Sequence, residues 1–184
     1  MGDAVSLLKD GSHGTHTDVP HSGYYLLSAK NIRDGRVQYD ASDRQISKEE
    51  YDAIYRRYSI RTGDVLLSIV GTIGRCCVYE HGAPLAFQRS VAFFRFSKIR
   101  PTFAYQYFTS ASFQRELLKR QVVSAQPGIY LGDLAEIPIP FPSLEEQQKI
   151  AGFLGALDAR VQAVGAQLAG WQQWKKGLLQ GMFV

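Results

Sequence analysis

A chain of 184 residues with 45% hydrophobic and 21% charged residues has a globular composition, and no apolar run of 18 residues long enough to cross a membrane interrupts it. Its formal charge of +4 and pI near 9.1 permit a polyanionic partner without demanding one, and residues 1–142 hold 17 Lys and Arg against 14 Asp and Glu. Binding to nucleic acid would therefore have to come from local clustering. Cys76 and Cys77 are adjacent, which gives neither a disulfide framework nor metal-ligand spacing, and no signal-peptide pattern is present at the start. A reducing cytoplasm is the expected compartment.

In chain order, Lys9 to Asp18 is polar, punctuated by Gly11 and Gly14, and predicts a loop. A strand over Tyr24–Ala29 comes next, and Asp34-Gly35 marks a turn into a short strand at Arg36–Tyr39. Ser47 and Glu50 form an S-x-x-E capping box that opens a helix to about Tyr58, carrying Arg56 and Arg57 near its end. The apolar run Val65–Val70 predicts a strand, Gly71-Thr72-Ile73-Gly74 a tight connection, and Arg75–Tyr79 another strand. Ala86–Phe96 is expected to be one strand. Pro101 suits the first turn of a helix reaching about Gln121. Residues 124–130 form a loop around Pro127-Gly128, and a helical turn is expected near Gly132–Ala135. Ile137-Pro138-Ile139-Pro140-Phe141-Pro142 alternates proline with apolar residues and must be extended, a stiff joint between the domain and the C-terminal segment. Residues 1–142 thus make one α+β domain with short, mostly antiparallel strands.

Residues 143–184 are expected to form one long helix. Ser143 and Glu146 make a second capping box, and Lys175 and Lys176 near the end suit the helix dipole. Ile150, Leu154, Leu157, Val161, Val164, Leu168, Trp171, Leu178 and Met182 keep a four-then-three spacing that only Lys175 interrupts. That is a heptad seam, the mark of a coiled coil. Gly152, Gly155, Gly165, Gly170, Gly177 and Gly181 each cost about 1 kcal/mol relative to alanine inside a helix. A rod so one-sided and so weak in propensity needs a partner along its stripe.

Enzyme signatures are mostly absent: there is no G-x-G-x-x-G, P-loop or G-x-S-x-G motif. His13, His16 and His21 lie in a polar loop with few carboxylates nearby, and solvent-facing or DNA-facing imidazoles are a better account of them than metal ligands. Asp64 and Glu80 lack a following lysine in a catalytic register, and turn formation accounts better for Asp64. Residues suited to nucleic acid are spread along the chain. Ser12, His13, Thr15 and His16 offer short polar contacts, and Arg56 and Arg57 can meet phosphates. Gln88 and Arg89 are the types that pair with adenine and guanine edges, and Ser124, Gln126 and Tyr130 offer polar contacts from the loop before the rod.

Several of these stretches together resemble the DNA-specificity (S) subunit of type I restriction-modification systems. They are Lys9–Thr15, the run Ile60–Ser68 with Gly71–Gly74 after it, and Phe87-Gln88-Arg89. The most specific is Ile137–Ile150, a proline-rich joint followed by Glu-Gln-x-x-Ile and leading into Leu154 and Leu157-Asp158. The resemblance implies a target-recognition domain followed by a helix, with two helices pairing as an antiparallel coiled coil that holds two recognition domains apart. It also implies a subunit with no catalytic residues or cofactor of its own. Such a subunit binds double-stranded DNA and recruits methyltransferase subunits that use S-adenosylmethionine, with a restriction subunit in the full complex. This sequence holds one domain and one helix, which looks like a half-subunit, either natural or a truncation, and points to a homodimer reading two inverted half-sites. Two other readings remain open: a coiled-coil scaffold that binds proteins without specific DNA binding, and a specificity-domain fragment of a larger restriction enzyme.

Overall fold

The computed structural model describes residues 4–80, 82–122 and 127–183. Its centre is a four-stranded antiparallel sheet ordered β1 (Val5–Asp10), β8 (Val91–Phe96), β5 (Val65–Ser68), β6 (Cys76–Val78). Side chains alternate across a pleated strand, and here both faces are covered. Val65, Leu67, Cys76, Ala92 and Phe94 point to one apolar cluster, and Leu66, Cys77, Val91 and Phe93 to another. Burial on both faces explains why Val65–Ile69 is apolar almost throughout instead of alternating.

The first face is covered by α2 (Pro101–Thr109), α3 (Ala111–Lys119) and α4 (Leu131–Glu136), through Phe103, Phe108, Phe113, Leu117 and Leu134. Phe108 and Phe113 stack at 4.2 Å. The second face is covered by a parallel pair, β2 (Tyr25–Leu27) with β7 (Leu85–Phe87), and by the hairpin β3 (Ile32–Arg33) and β4 (Arg36–Val37). That hairpin turns through Asp34 and Gly35, both at positive φ, as the Asp-Gly pair requires. Helix α1 (Lys48–Arg57) packs Ile54 onto a third cluster with Leu26, Ile46 and Ala86.

Three expectations are corrected. The expected strand Ala86–Phe96 is two strands: β7 pairs with β2 and β8 joins the central sheet, and a turn at Gln88–Ser90 carries the chain from one to the other. The expected helix from Pro101 breaks at Ser110, whose extended backbone ends α2 and whose hydroxyl accepts from the Phe113 amide to start α3. The opening polar loop is preceded by a strand, β1, that ends on Lys9 and Asp10.

The long helix α5 spans Leu144–Met182, with Ser143 as N-cap and both halves of the Ser143–Glu146 capping box formed. At 39 residues it is about 58 Å long. Its first turns belong to the domain's packing. Gln147 is buried, accepting from the Arg100 amide at 2.8 Å and donating to the carbonyls of Lys98 and Pro142. Ala151 enters the core cluster, and Gln106 donates to Asp158 at 2.7 Å. Beyond Asp158 every described side chain of the helix is exposed.

Candidate nucleic-acid interface

Strand β1 delivers the loop after it onto the Gln88–Ser90 turn. The Gly11 amide donates to the Val91 carbonyl at 3.0 Å, the Ser12 amide to Phe87 at 2.8 Å, and the Arg89 amide to Ser12 at 2.9 Å. Gly11 is needed there, because a Cβ would collide with the carbonyls of Phe87 and Gln88. The turn is fixed from beneath as well. The Gln88 amide donates to Leu27, the Ala29 amide to the Ser90 hydroxyl, and the Tyr58 hydroxyl to the Phe87 carbonyl. Burial pushes the Tyr58 phenol up, so it stays a protonated donor.

Ser12–His16 and Gln88–Arg89, more than 70 positions apart in the chain, therefore form one surface. A third segment joins them. Gly128 bridges to Val70 and Val122, and the Ile129 amide donates to the Ile69 carbonyl, which brings Tyr130 to the same face at the start of α4. Between the three lies an open cleft of about 410 Å³. Asp10, His13, Arg89 and Tyr130 give it polar walls, and Ile69, Val70, Val122, Gly128, Ile129 and Leu131 complete its lining.

Within this surface the side chains differ in freedom. His13 is 62% exposed, and its Nε2 lies 2.6 Å from the Asp10 carboxylate. Arg89 and Thr15 are exposed, and Tyr130 stands out from the surface. His16 is only 9% exposed. Its Nε2 is 2.8 Å from the Ser12 hydroxyl, its Nδ1 is 3.8 Å from Glu50, and its carbonyl accepts from Arg44. Glu50 supplies a carboxylate that the loop's own sequence does not show, beside the loop's own Asp10. Asp10 sits one strand end away from His13, whereas Glu50 is brought in from α1 by folding. Arg56 and Arg57 are exposed on the last turn of α1 and do not line the cleft. Ser124 and Gln126 lie outside the described residues. Among the described residues no group of three or more His, Cys, Asp or Glu is placed to hold a metal ion.

The seam of α5 is the second surface. Ile150, Leu157, Val161, Val164, Leu168, Trp171, Leu178 and Met182 are all exposed, with Val161 at 71% and Trp171 at 66%. Leu154 is half-buried against the domain. No helix among the described residues is long and apolar enough to cross a membrane.

Residues 19–168 match the model of the type I restriction modification DNA specificity domain. The chain belongs to that family. It is 31% identical over 148 residues to the type I restriction enzyme EcoBI specificity subunit of Escherichia coli, covering 79% of this chain and 31% of that protein. Among solved structures, a chain from the complex assembly and conformational transition of the type I R-M system superposes with a TM-score of 0.69. Its identity is 18%, over 98% of this chain and 42% of the other. The type I restriction-modification S subunit from M. genitalium superposes with a TM-score of 0.58 at 20% identity, over 89% of this chain and 39% of the other. The fold is thus that of an S-subunit recognition domain with its helix. The chain spans between about a third and two fifths of the length of these three relatives.

Proposed function

We propose that this specificity-family chain reads DNA sequence for a type I restriction-modification complex, dimerising through α5 and positioning methyltransferase and restriction subunits that carry out the chemistry. The observation that supports it best is the convergence of His13, Arg89 and Tyr130 on one cleft, with Ser12 and Gln88 paired by their backbones beside it. These are residue types that meet phosphates and base edges, and they are held there by backbone pairing rather than by a mobile loop. In this reading S-adenosylmethionine is bound by the partner methyltransferase, and this chain contributes specificity only.

The dimer reading rests on the uncovered seam. In an antiparallel pair, a positions pack against d positions of the partner. In the register that uses every seam residue, Ile150 meets Met182, Leu154 meets Leu178, Leu157 meets Lys175, Val161 meets Trp171, and Val164 meets Leu168. All but one of the layers are wholly apolar. The exception sets Lys175 against Leu157, where its ammonium can reach past the seam to water. The recognition domains come to lie at opposite ends of the rod and read two identical inverted half-sites with an unread spacer. Gly152, Gly155 and Gly170 lie off the seam, where an added Cβ would meet nothing within 4 Å, which suits close approach by a methyltransferase helix.

The test is co-expression with the adjacent methyltransferase, followed by mapping of methylated sites. A symmetric bipartite motif is expected, together with duplex binding that falls steeply with salt. An asymmetric motif written by this chain and its methyltransferase alone would overturn the dimer. Binding that ignores both salt and sequence would overturn DNA reading.

A further inference from the structure

Beside the proposed recognition face, His16 contacts Ser12 through Nε2 and Glu50 through Nδ1. One carboxylate oxygen of Glu50 is buried with no hydrogen-bond partner, and the polar atom brought toward it is His16 Nδ1, at 3.8 Å. A carboxylate oxygen accepts and cannot donate, so this contact, longer than a hydrogen bond, favours the tautomer with the imidazole proton on Nδ1. In the neutral imidazole Nε2 is then an acceptor, and the atom 2.8 Å from it is the Ser12 hydroxyl. The serine must give it its only proton. The Ser47–Glu50 cap is consistent with this. Ser47 accepts from the Glu50 amide, while the Glu50 carboxylate turns to His16 instead of closing the box.

We infer that Ser12 is a specificity-determining residue locked as a pure acceptor, reading the amino group of an adenine or cytosine in the major groove. His16 and Glu50 are the positioning residues that fix its polarity. An unconstrained serine hydroxyl accepts or donates and distinguishes bases poorly. With its proton committed inward, it offers only lone pairs outward. Those suit the adenine N6 or cytosine N4 amino groups and repel the guanine O6 or thymine O4 carbonyls. Gln88, bridged directly to Ser12 by backbone pairing, is placed to read a neighbouring position. Serine, histidine and carboxylate together are also the parts of an acyl-transfer nucleophile. Here, however, the amides of Gly11 and Ser12 are taken up by the Val91 and Phe87 carbonyls, so neither is free as an oxyanion donor.

The inference rests on the DNA-reading function proposed for the same face, and one experiment separates the two. The full chain is used to select from a random duplex library, alongside Ser12→Ala and Glu50→Gln. Glutamine is isosteric but presents Nδ1 with either a donor or an acceptor, so it releases the lock while preserving shape. The wild type is expected to select a motif with adenine or cytosine at the position Ser12 reads. Ser12→Ala should weaken that preference about 5- to 10-fold. Glu50→Gln should admit guanine or thymine there and leave the other positions unchanged. A wild-type motif that Ser12→Ala leaves intact at every position overturns the inference and spares DNA reading. A Glu50→Gln profile identical to wild type overturns the locked polarity even if Ser12→Ala fails to fold. No motif from the wild type overturns both.

Discussion

Leu168→Ala tests whether the seam pairs with itself. Complete burial of a leucine side chain stabilises by about 1.5–3 kcal/mol. In the single chain Leu168 is 58% exposed, so about 1–1.7 kcal/mol remains to be gained by pairing. Both copies contribute in a two-fold dimer, which brings the expected loss to about 2–3.5 kcal/mol, or about 30- to 300-fold in the dimer dissociation constant. Alanine is a better helix former than leucine, so the rod itself is not weakened. Sedimentation equilibrium over a concentration series reads the dissociation constant, and circular dichroism at high concentration checks that helix content is retained. A dissociation constant unchanged within about threefold, or a wild-type chain that stays monomeric at all concentrations, would refute the self-pairing argument.

The packing sets three further outcomes. Gln147→Leu leaves the Arg100 amide and the Lys98 and Pro142 carbonyls without the buried partner they share, and should cost about 1–3 kcal/mol in urea denaturation; an unchanged midpoint would mean that the root of α5 is not anchored there. Gly11→Ala forces β1 off the Phe87 and Gln88 carbonyls, so about 1–3 kcal/mol of stability and the selected DNA motif should both change, as thermal melting and library selection would report. Burial raises both thiols, Cys76 and Cys77, to about 12, so at pH 8 only about one in ten thousand is thiolate. Ellman's reagent should leave both untouched for many minutes in the native protein and label both after denaturation, and rapid native labelling would contradict the packing.

Local signals in the sequence carried the parts of the fold that local chemistry decides. Ser143 with Glu146, the Asp34-Gly35 turn and the apolar run at Val65 each state their structure within a few residues. The break at Gln88–Ser90 did not declare itself, because β7 and β8 are both apolar strands, and only pairing with distant β2 and β1 separates them. Ser110 likewise looks like an ordinary helix residue until its hydroxyl caps α3. On the proposed recognition face, residue type pointed to His13, Gln88, Arg89 and Tyr130, but their proximity depends on backbone pairings across some 40 to 80 positions. Glu50 was legible only as half of a capping box. Its approach to His16 needs the fold to bring α1 to the opening loop.

The proposed recognition face has a framework tied off at the backbone by the amides of Gly11, Ser12, Gln88 and Arg89. Such a surface loses little conformational freedom when it meets a ligand, because the ordering was completed during folding. It also separates two tasks that mobile loops combine. The peptide skeleton preserves shape while individual side chains are exchanged, so new base preferences can arise one substitution at a time without rebuilding the scaffold. A domain made in this way is suited to diversification, and its history should be written mainly in the residues that point outward from a fixed frame.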